Sequence, residues 1–232
     1  MTISWQSDES QQRFSRVAAS SDFVRLAPRF QPQANPLYCG IATSTIVLNA
    51  LRQELGTAPS EAAFEVTKPD AFGGGTIAYP AYTQATLLDA STESIKPRAV
   101  VRLEERNAAG DWDPGLTLAQ IEALLRHYGL EADRTSADEA DINIFRETAR
   151  DVLTDDGRLL VCNFVGRELG LTTGGHISPL AAYDAATDSV LVLDVAGHKN
   201  GWYWVGVADL YEAMHTKDGD AYRGWLVVAE GS

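Results

Sequence analysis

Cys39, His176 and Asp194 are the residues of this chain whose types and settings could carry out nucleophilic chemistry. Cys39 follows a loop that contains Pro36, and the residues after it are apolar at helical spacing as far as Leu55. Because Pro36 keeps this helix from starting much earlier, the thiol falls at or near the helix N-terminus. Free N–H groups and the helix dipole there stabilise a thiolate, which is the nucleophilic form. The alternative is a small, buried structural cysteine.

His176 and Asp194 fall on two strands that we expect to pair as a hairpin over 176–196. With a turn centred near Ala186, Ser178 lies opposite Asp194, and His176 lies diagonal to it on the same face. Diagonal neighbours are about 7–8 Å apart, within reach of an imidazole and a carboxylate. Asp194 is also a charge inside an apolar strand and needs a partner. Asp194 would therefore orient the ring and His176 would act as base, unless the histidine is purely structural.

Composition narrows the kinds of partner that the chain can bind. Of its 232 residues 45% are hydrophobic and 22% are charged, and the formal net charge is -13. This acidic balance argues against nucleic acid and anionic membranes, because both require a positive face. An acidic ligand would need a local Arg or Lys. We therefore expect neither a nucleic-acid partner nor a membrane partner.

Cysteine and histidine usage predicts no metal site and no required cofactor. The two cysteines, Cys39 and Cys162, are too few for a disulfide framework or a cysteine metal cluster. Cys162 alternates within an apolar strand, so we place it in the core. The N-terminal residues lack the basic and apolar regions of a signal peptide, and no apolar run is long enough to span a bilayer. A cytoplasmic location is the expectation.

Helical patterns come first along the chain and strand patterns come later, which favours an α+β fold with an antiparallel sheet. We predict one catalytic domain over 1–232, with a helical lobe over about 1–155 and a sheet lobe over about 156–232. The predicted helices are 9–19, 39–55, 60–65, 85–90, 116–129, 145–154 and 207–216. The predicted strands are 158–165, 176–183, 189–196, 203–205 and 224–229.

Three segments of the chain resemble the active-site segments of phytochelatin synthases. They are Gln33–Ala42 with the following Val47–Leu51, then Gly174–Leu180, and Leu191–Ala196. The resemblance implies a papain-like two-lobe fold that is usually dimeric, so we expect a homodimer. It also implies attack on the Cys–Gly bond of glutathione.

The same resemblance assigns roles to individual residues. Cys39 would be the nucleophile, His176 the base and Asp194 its orienter. Gln33 would help to form the oxyanion hole, because a side-chain amide suits a developing negative oxygen. Tyr38 and Gly175, within the matching segments, would bind substrate. So would Asp218 and Arg223, which resemble the Asp and Arg of a C-terminal substrate-binding segment. An Arg is what an acidic protein needs to hold the carboxylates of glutathione.

Departures from the plant pattern bear on which reaction dominates. Pro32 and Gly197 stand where plant members carry Thr and Arg, and the sequence does not include their cysteine-rich C-terminal domain. Short bacterial relatives favour hydrolysis, so we expect mainly γ-glutamylcysteine and glycine as products. Transfer to a second glutathione, which gives phytochelatin, would be slower. Cadmium or zinc would stimulate it as a metal–glutathione thiolate rather than as a cofactor.

Two alternatives remain open from the sequence. A papain-like peptidase or amidase could use the same residues on other small peptides or γ-glutamyl compounds. A non-enzymatic binding module with a buried thiol is the second.

Overall fold

The computed structural model of the chain describes residues 1–17, 22–52, 63–155 and 157–231, with the backbone alone at 63–65 and 78–80. The α-helices of this described part are α1 Asp8–Val17, α2 Phe23–Leu26, α3 Cys39–Arg52, α4 Arg98–Val101, α5 Leu118–His127, α6 Ile142–Val152 and α7 Val207–Met214. Its strands are β1 Ile3–Ser4, β2 Ala63–Thr67, β3 Thr76–Pro80, β4 Leu130–Ser136, β5 Arg158–Val165, β6 Gly175–Asp184, β7 Ser189–Val192, β8 Tyr203–Gly206, β9 Lys217–Asp218, β10 Ala221–Tyr222 and β11 Gly224–Glu230.

Seven strands form one antiparallel sheet in the order β1-β8-β7-β6-β5-β11-β4, whereas β2–β3 and β9–β10 are separate hairpins. One face of the sheet packs against α3 and α5, and the other packs against α6 and α7, each around its own apolar core. This mixture of helices with an antiparallel sheet confirms the predicted α+β class. No helix within the described ranges is long and apolar enough to cross a membrane.

Helix α3 occupies the centre of the larger apolar core. All of its residues from 40 to 51 are buried, so this helix is held by packing on every side. A methyl group added at Gly40 would lie 2.8 Å from the side chain of Ile121. Glycine at this position therefore lets α5 approach the first turn of α3 closely.

The helix predicted over 116–129 is α5, and its ends follow the sequence signals. Thr117 Oγ1 accepts a hydrogen bond from the Gln120 N–H at 3.3 Å, and Gln120 Oε1 accepts one from the Thr117 N–H at 2.9 Å. This reciprocal capping box starts the helix. Gly129, with a φ of 80°, follows its last turn.

The lobe boundary drawn from the sequence needs correction. Strands β1 and β4 lie within the predicted helical lobe of 1–155, yet both belong to the main sheet. Strand β1 pairs with β8, and β4 pairs with β11 at the opposite edge. In β4 the apolar residues Leu130 and Ala132 point inward, and the charged residues around them concealed this short alternation. The assignment of 1–232 to a single domain stays a prediction.

Two short predicted helices are wrong where the structure describes them. Residues 63–65, at the end of the helix predicted over 60–65, belong to strand β2, and 60–62 lie outside the described residues. The helix predicted over 85–90 is a series of turns. There the side chain of Asp89 accepts hydrogen bonds from the N–H groups of Ser91 at 2.8 Å and Thr92 at 3.3 Å. Such local bonds compete with helix formation. The predicted end of α3 near Leu55 also lies outside the described residues.

Strands β6 and β7 pair as the sequence predicted, but β7 ends at Val192, so the strand predicted over 189–196 is too long and Asp194 lies just beyond it. The pairing also has one irregularity. The register shifts at a bulge between Leu180 and Ala182, after which Leu180 faces Val192. Extending this register by two residues places Ser178 opposite Asp194, which agrees with the predicted alignment. A bulge of this kind re-aims the residues beyond it, and here those residues include the candidate base.

Candidate active site

Cys39 is the first residue of α3, as predicted. Asn35 turns the chain into this helix, because its side-chain oxygen accepts from the Leu37 N–H at 2.9 Å and its carbonyl accepts from the Tyr38 N–H at 2.9 Å. The thiol is partly exposed and lines a cavity of about 270 Å³. Cys39 is therefore accessible to a small molecule, at a position where the helix N-terminus favours an anion.

His176 and Asp194 form the predicted pair. His176 Nε2 lies 2.8 Å from Asp194 Oδ1, and both side chains are buried. The same carboxylate accepts from the Ala196 N–H at 2.7 Å and from Asn200 Nδ2 at 3.1 Å. These donors fix the carboxylate, which in turn orients the imidazole. Nδ1 is then the ring nitrogen left for Cys39, with which His176 makes a hydrogen-bonding contact.

The charge states of the pair follow from these contacts. Burial lowers the pKa of His176, but the hydrogen bonds with Asp194 and Cys39 outweigh burial and raise the pKa to about 9. Burial raises the pKa of Asp194, but the His176 ring, the Ala196 N–H and Asn200 outweigh it, so this pKa lies below its ordinary value. Imidazolium and carboxylate are thus the favoured forms at neutral pH. An imidazolium beside Cys39 stabilises the thiolate.

Two further polar side chains, Ser178 and Asn200, hold the pair, and no role was predicted for either of them. Ser178 Oγ lies 3.1 Å from His176 Nε2 and accepts from the Val195 N–H at 3.3 Å. The predicted register, with Ser178 opposite Asp194, contained a signal for this contact. Asn200 lies in a loop six residues after Asp194, and no local pattern pointed to its bond.

Gln33 lies in the loop that precedes the nucleophile. Its backbone N–H donates to the Val195 carbonyl at 2.8 Å, and its Nε2 donates to the Asn35 carbonyl at 3.0 Å. Nε2 carries a second N–H, and Oε1 is buried with no hydrogen-bond partner among the described residues. The amide therefore keeps a donor for an incoming group. The oxyanion role of Gln33 stays a prediction.

Arg223 and Asp218 meet at the same cavity, together with Asn163 of β5. Arg223 Nη1 lies 2.7 Å from Asn163 Oδ1 and 3.1 Å from Asp218 Oδ2, and Asn163 Nδ2 donates to that carboxylate at 3.0 Å. Gly219, with a φ of 67°, lets β9 turn back into β10 and so brings Asp218 towards Arg223. Sequence reasoning missed Asn163, although a buried amide within an apolar strand was a signal.

Gly175 and Tyr38, the other two substrate-binding candidates, lie in different places. Gly175 lines the cavity, and a methyl group added to it would lie 2.9 Å from Arg223 Nη2. Glycine therefore leaves room for the guanidinium. Tyr38 is buried and lines a neighbouring cavity with Arg98 and Arg102. Both substrate-binding assignments stay predictions.

Other reactive groups lie outside this site. Cys162 is fully buried in β5, as predicted, and burial raises the pKa of its thiol well above the ordinary value. His127 is exposed, and its Nε2 lies 3.0 Å from Ser91 Oγ. Within the described ranges, no group of three or more His, Cys, Asp or Glu side chains is placed to hold a metal ion.

The sequence of the chain matches those of known proteins. Glutathione gamma-glutamylcysteinyltransferase 3 of Lotus japonicus is 26% identical over 210 residues, which are 90% of this chain and 37% of the relative. The glutathione gamma-glutamylcysteinyltransferase of Schizosaccharomyces pombe is 24% identical over 197 residues, which are 85% of this chain and 40% of the relative. The chain thus spans well under half the length of these relatives. The phytochelatin synthase family model matches residues 1–225, and the chain belongs to that family.

Proposed function

We propose that this chain is a cysteine acyltransferase that cleaves the Cys–Gly bond of glutathione and acts mainly as a hydrolase. One observation carries the proposal: Cys39 stands at a helix N-terminus in contact with His176, whose ring Asp194 holds at 2.8 Å. The names of the relatives, which describe glutathione γ-glutamylcysteinyl transfer, support the choice of substrate.

In the first half of the reaction, the Cys39 sulfur attacks the carbonyl carbon of the Cys–Gly bond. His176 holds the thiol proton and donates it to the nitrogen of the departing glycine as the C–N bond breaks. The amide of Gln33 donates to the oxygen that becomes negative in the tetrahedral intermediate. The products are free glycine and a γ-glutamylcysteinyl thioester on Cys39.

In the second half, water attacks the thioester carbonyl while the now neutral His176 takes a proton from it. The C–S bond breaks, and the proton returns to the Cys39–His176 pair as γ-glutamylcysteine leaves. When the α-amino group of a second glutathione attacks instead, a new peptide bond forms and the product is phytochelatin. We propose that this transfer is slower than hydrolysis of the thioester.

Arg223 and Asp218 hold the charged end of the substrate in this proposal. The guanidinium supplies the local positive charge that an anionic peptide needs on a chain of net charge -13. Arg223 lines the same cavity as Cys39, so its guanidinium can meet a carboxylate of a molecule bound there. Asn163 and Asp218 fix the orientation of the group.

No metal cofactor takes part in these steps. Cadmium or zinc would enter as a thiolate of the acceptor glutathione, which lowers the charge and changes the shape of that substrate. The predicted homodimer also remains a proposal, and light scattering of the purified chain tests it.

Intact mass measurement during incubation with glutathione tests the mechanism. We expect an adduct of one γ-glutamylcysteinyl group on Cys39, together with release of glycine. Cys39→Ala should give neither, whereas Cys162→Ala, which removes the buried second thiol, should give both. Glycine release by Cys39→Ala would overturn the mechanism.

Substrate profiling and alkylation separate the two alternatives. A general peptidase or amidase would cleave other small peptides faster than glutathione. A binding module would show a Cys39 that iodoacetamide alkylates no faster at neutral pH than in a denatured control.

A further inference from the structure

Besides the contact between Cys39 and His176, a buried hydrogen bond joins the helix of the nucleophile to the strand of the base. Thr43 lies one turn after Cys39 on α3, and its side chain is fully buried. Its Oγ1 donates to the carbonyl of Ile177 at 3.0 Å. Because Ile177 follows His176 directly in β6, the bond links the two catalytic elements next to both reacting groups.

Helix α3 and strand β6 also pack against each other within the larger apolar core. Apolar packing is non-directional, so it resists separation of the two elements more strongly than it resists a small slide or rotation. A hydrogen bond has a preferred length and angle and therefore fixes the alignment. Catalytic groups need such alignment, since a shift of about 1 Å can reduce a rate by about 100-fold.

Thr45 shows that a buried threonine on α3 can satisfy its hydroxyl inside its own helix. Its Oγ1 donates to the carbonyl of Ile41, four residues earlier, at 2.8 Å. The corresponding acceptor for Thr43 would be the carbonyl of Cys39, but its hydroxyl bonds to the strand instead. Burial of the Thr43 hydroxyl therefore does not by itself require a bond to β6, because an acceptor within α3 would also satisfy it.

We infer that Thr43 is a positioning residue, which sets the distance and angle between the Cys39 thiol and the His176 ring. The inference deepens the proposed function and rests on the catalytic roles given there to Cys39 and His176. Thr43 itself is fully buried and does not line the cavity that Cys39 and His176 share.

Three variants separate positioning from stability. Thr43→Val removes the hydroxyl at nearly constant shape, Thr43→Ser retains it, and Thr45→Val removes a buried hydroxyl that bonds only within α3. We expect Thr43→Val to slow acylation by glutathione about 10- to 100-fold with KM unchanged. The acylation rates of Thr43→Ser and Thr45→Val should stay within about threefold of the parent rate. This should hold for Thr45→Val even if it lowers the melting temperature as much as Thr43→Val does. If Thr43→Val does not fold, Thr43→Ala replaces it.

Alkylation of Cys39 by iodoacetamide gives a readout that does not depend on the substrate. His176 faces Cys39, Asp194 and Ser178, while Asp218 and Arg223 share the cavity, and all of them remain in the variant. The parent chain should react rapidly at pH 6, because the imidazolium stabilises the thiolate. Thr43→Val should react about tenfold more slowly at pH 6 and at the parent rate at pH 10, where the His176 ring, with its pKa of about 9, has lost the proton on which the difference depends.

The outcomes decide the inference whether or not glutathione is the substrate. A parent-like alkylation profile for Thr43→Val would overturn it, as would an equal loss of the fast reaction at pH 6 in Thr45→Val. Loss of that fast reaction in Thr43→Val alone supports it. If glutathione proved inert, the proposed substrate would be wrong, but the alkylation profiles would still decide the role of Thr43.

Discussion

The two ends of the cavity are built in different ways. The reaction end stands on the buried helix α3, on the central strand β6 and on the segment just after β7, and its residues are Cys39, His176 and Asp194. The binding end stands on β5 and on the small hairpin β9–β10 with the residue that follows it, and its residues are Asn163, Asp218 and Arg223. The reaction end carries a buried ion pair whose side chains are 3% and 0% exposed. The ion pair of the binding end is 10% and 31% exposed.

This difference in exposure is what we expect if one end of the cavity carries out the reaction and the other end binds the substrate. A buried ion pair is strong only when its geometry is fixed, and removal of one partner leaves an uncompensated charge. A partly exposed pair is screened by water and tolerates small movements. We therefore expect changes at the reaction end to reduce kcat, and changes at the binding end to raise KM.

Asp194→Asn should have the largest effect. Both carboxylate oxygens accept hydrogen bonds, so an amide must place its NH₂ against a donor, either Asn200 or the Ala196 N–H with His176. We expect kcat for glycine release to fall about 10²- to 10⁴-fold, with KM within about threefold. Steady-state kinetics measure both. A large rise in KM with kcat preserved would break the distinction between the two ends.

Arg223→Gln should have the next largest effect, at the other end of the cavity. It removes the positive charge and leaves Asp218 to repel a substrate carboxylate. We expect KM for glutathione to rise about 10- to 100-fold and kcat to change by less than about threefold.

Arg223→Lys is the matched control for this change. It keeps the charge but loses the forked contacts with Asn163 and the Lys217 carbonyl. Its KM for glutathione should therefore lie between that of the parent chain and that of Arg223→Gln. Loss of kcat alone in Arg223→Gln would place this residue at the reaction end instead.

The pH dependence reports on the reaction end. The pKa of His176 is raised to about 9, so the ring keeps its proton below that pH and loses it above. In the proposed reaction the departing glycine takes up this proton, so kcat/KM should fall as the pH rises through about 9. Asp194→Asn removes a cause of the raised pKa, so its alkaline limb should move to lower pH, while that of Arg223→Gln should not move.

The same raised pKa predicts how stability depends on pH. A group whose pKa is raised in the folded state binds its proton more tightly there than in the unfolded chain. The stabilisation is therefore fully present below the unfolded value of about 6.5 and is lost as the pH rises through the folded value. Urea unfolding should show this loss between about pH 6.5 and 9 in the parent chain. His176→Gln should lack it.

Sequence reasoning predicted the positions of Cys39, His176 and Asp194 at the reaction end because strong local signals coincide there, whereas their catalytic roles stay predictions. Pro36 and the apolar spacing located the helix start at Cys39, and the hairpin period placed His176 near Asp194. Both signals act over a few residues, so a single sequence carries them. The α+β class followed in the same way from the order of the elements.

The binding end depended on resemblance, because its residues meet only through tertiary structure. Asn163 lies 55 positions from Asp218 and 60 from Arg223, and no periodicity links them. Strand β4 was missed for a related reason. Its inward residues are Leu130 and Ala132, and the charged residues around them hide so short an alternation. Long-range pairing with β11 stabilises it instead.

Substitution of Gln84 should have the smallest effect on the reaction end, because this side chain supports the loop of Gln33 from outside the apolar core. Its side chain accepts from the Ala34 N–H at 2.8 Å and donates to the Pro32 carbonyl at 3.0 Å, so it binds the backbone on both sides of Gln33. The segment that carries Gln84 is itself held against α3. The side chain of Asn49 accepts from the N–H of Tyr82 and donates to its carbonyl.

Gln84→Ala should therefore loosen the loop that presents the amide of Gln33. Both bonds are solvent-exposed, and each contributes about 0.5–1.5 kcal/mol, part of which water restores. We expect kcat to fall about threefold with KM unchanged. In a Gln33→Ala background the same change should have no further effect, because a residue that acts through Gln33 loses its influence once that amide is gone. Additive losses in the double variant would instead assign Gln84 a general role in stability, and the reaction end would then depend on the core alone.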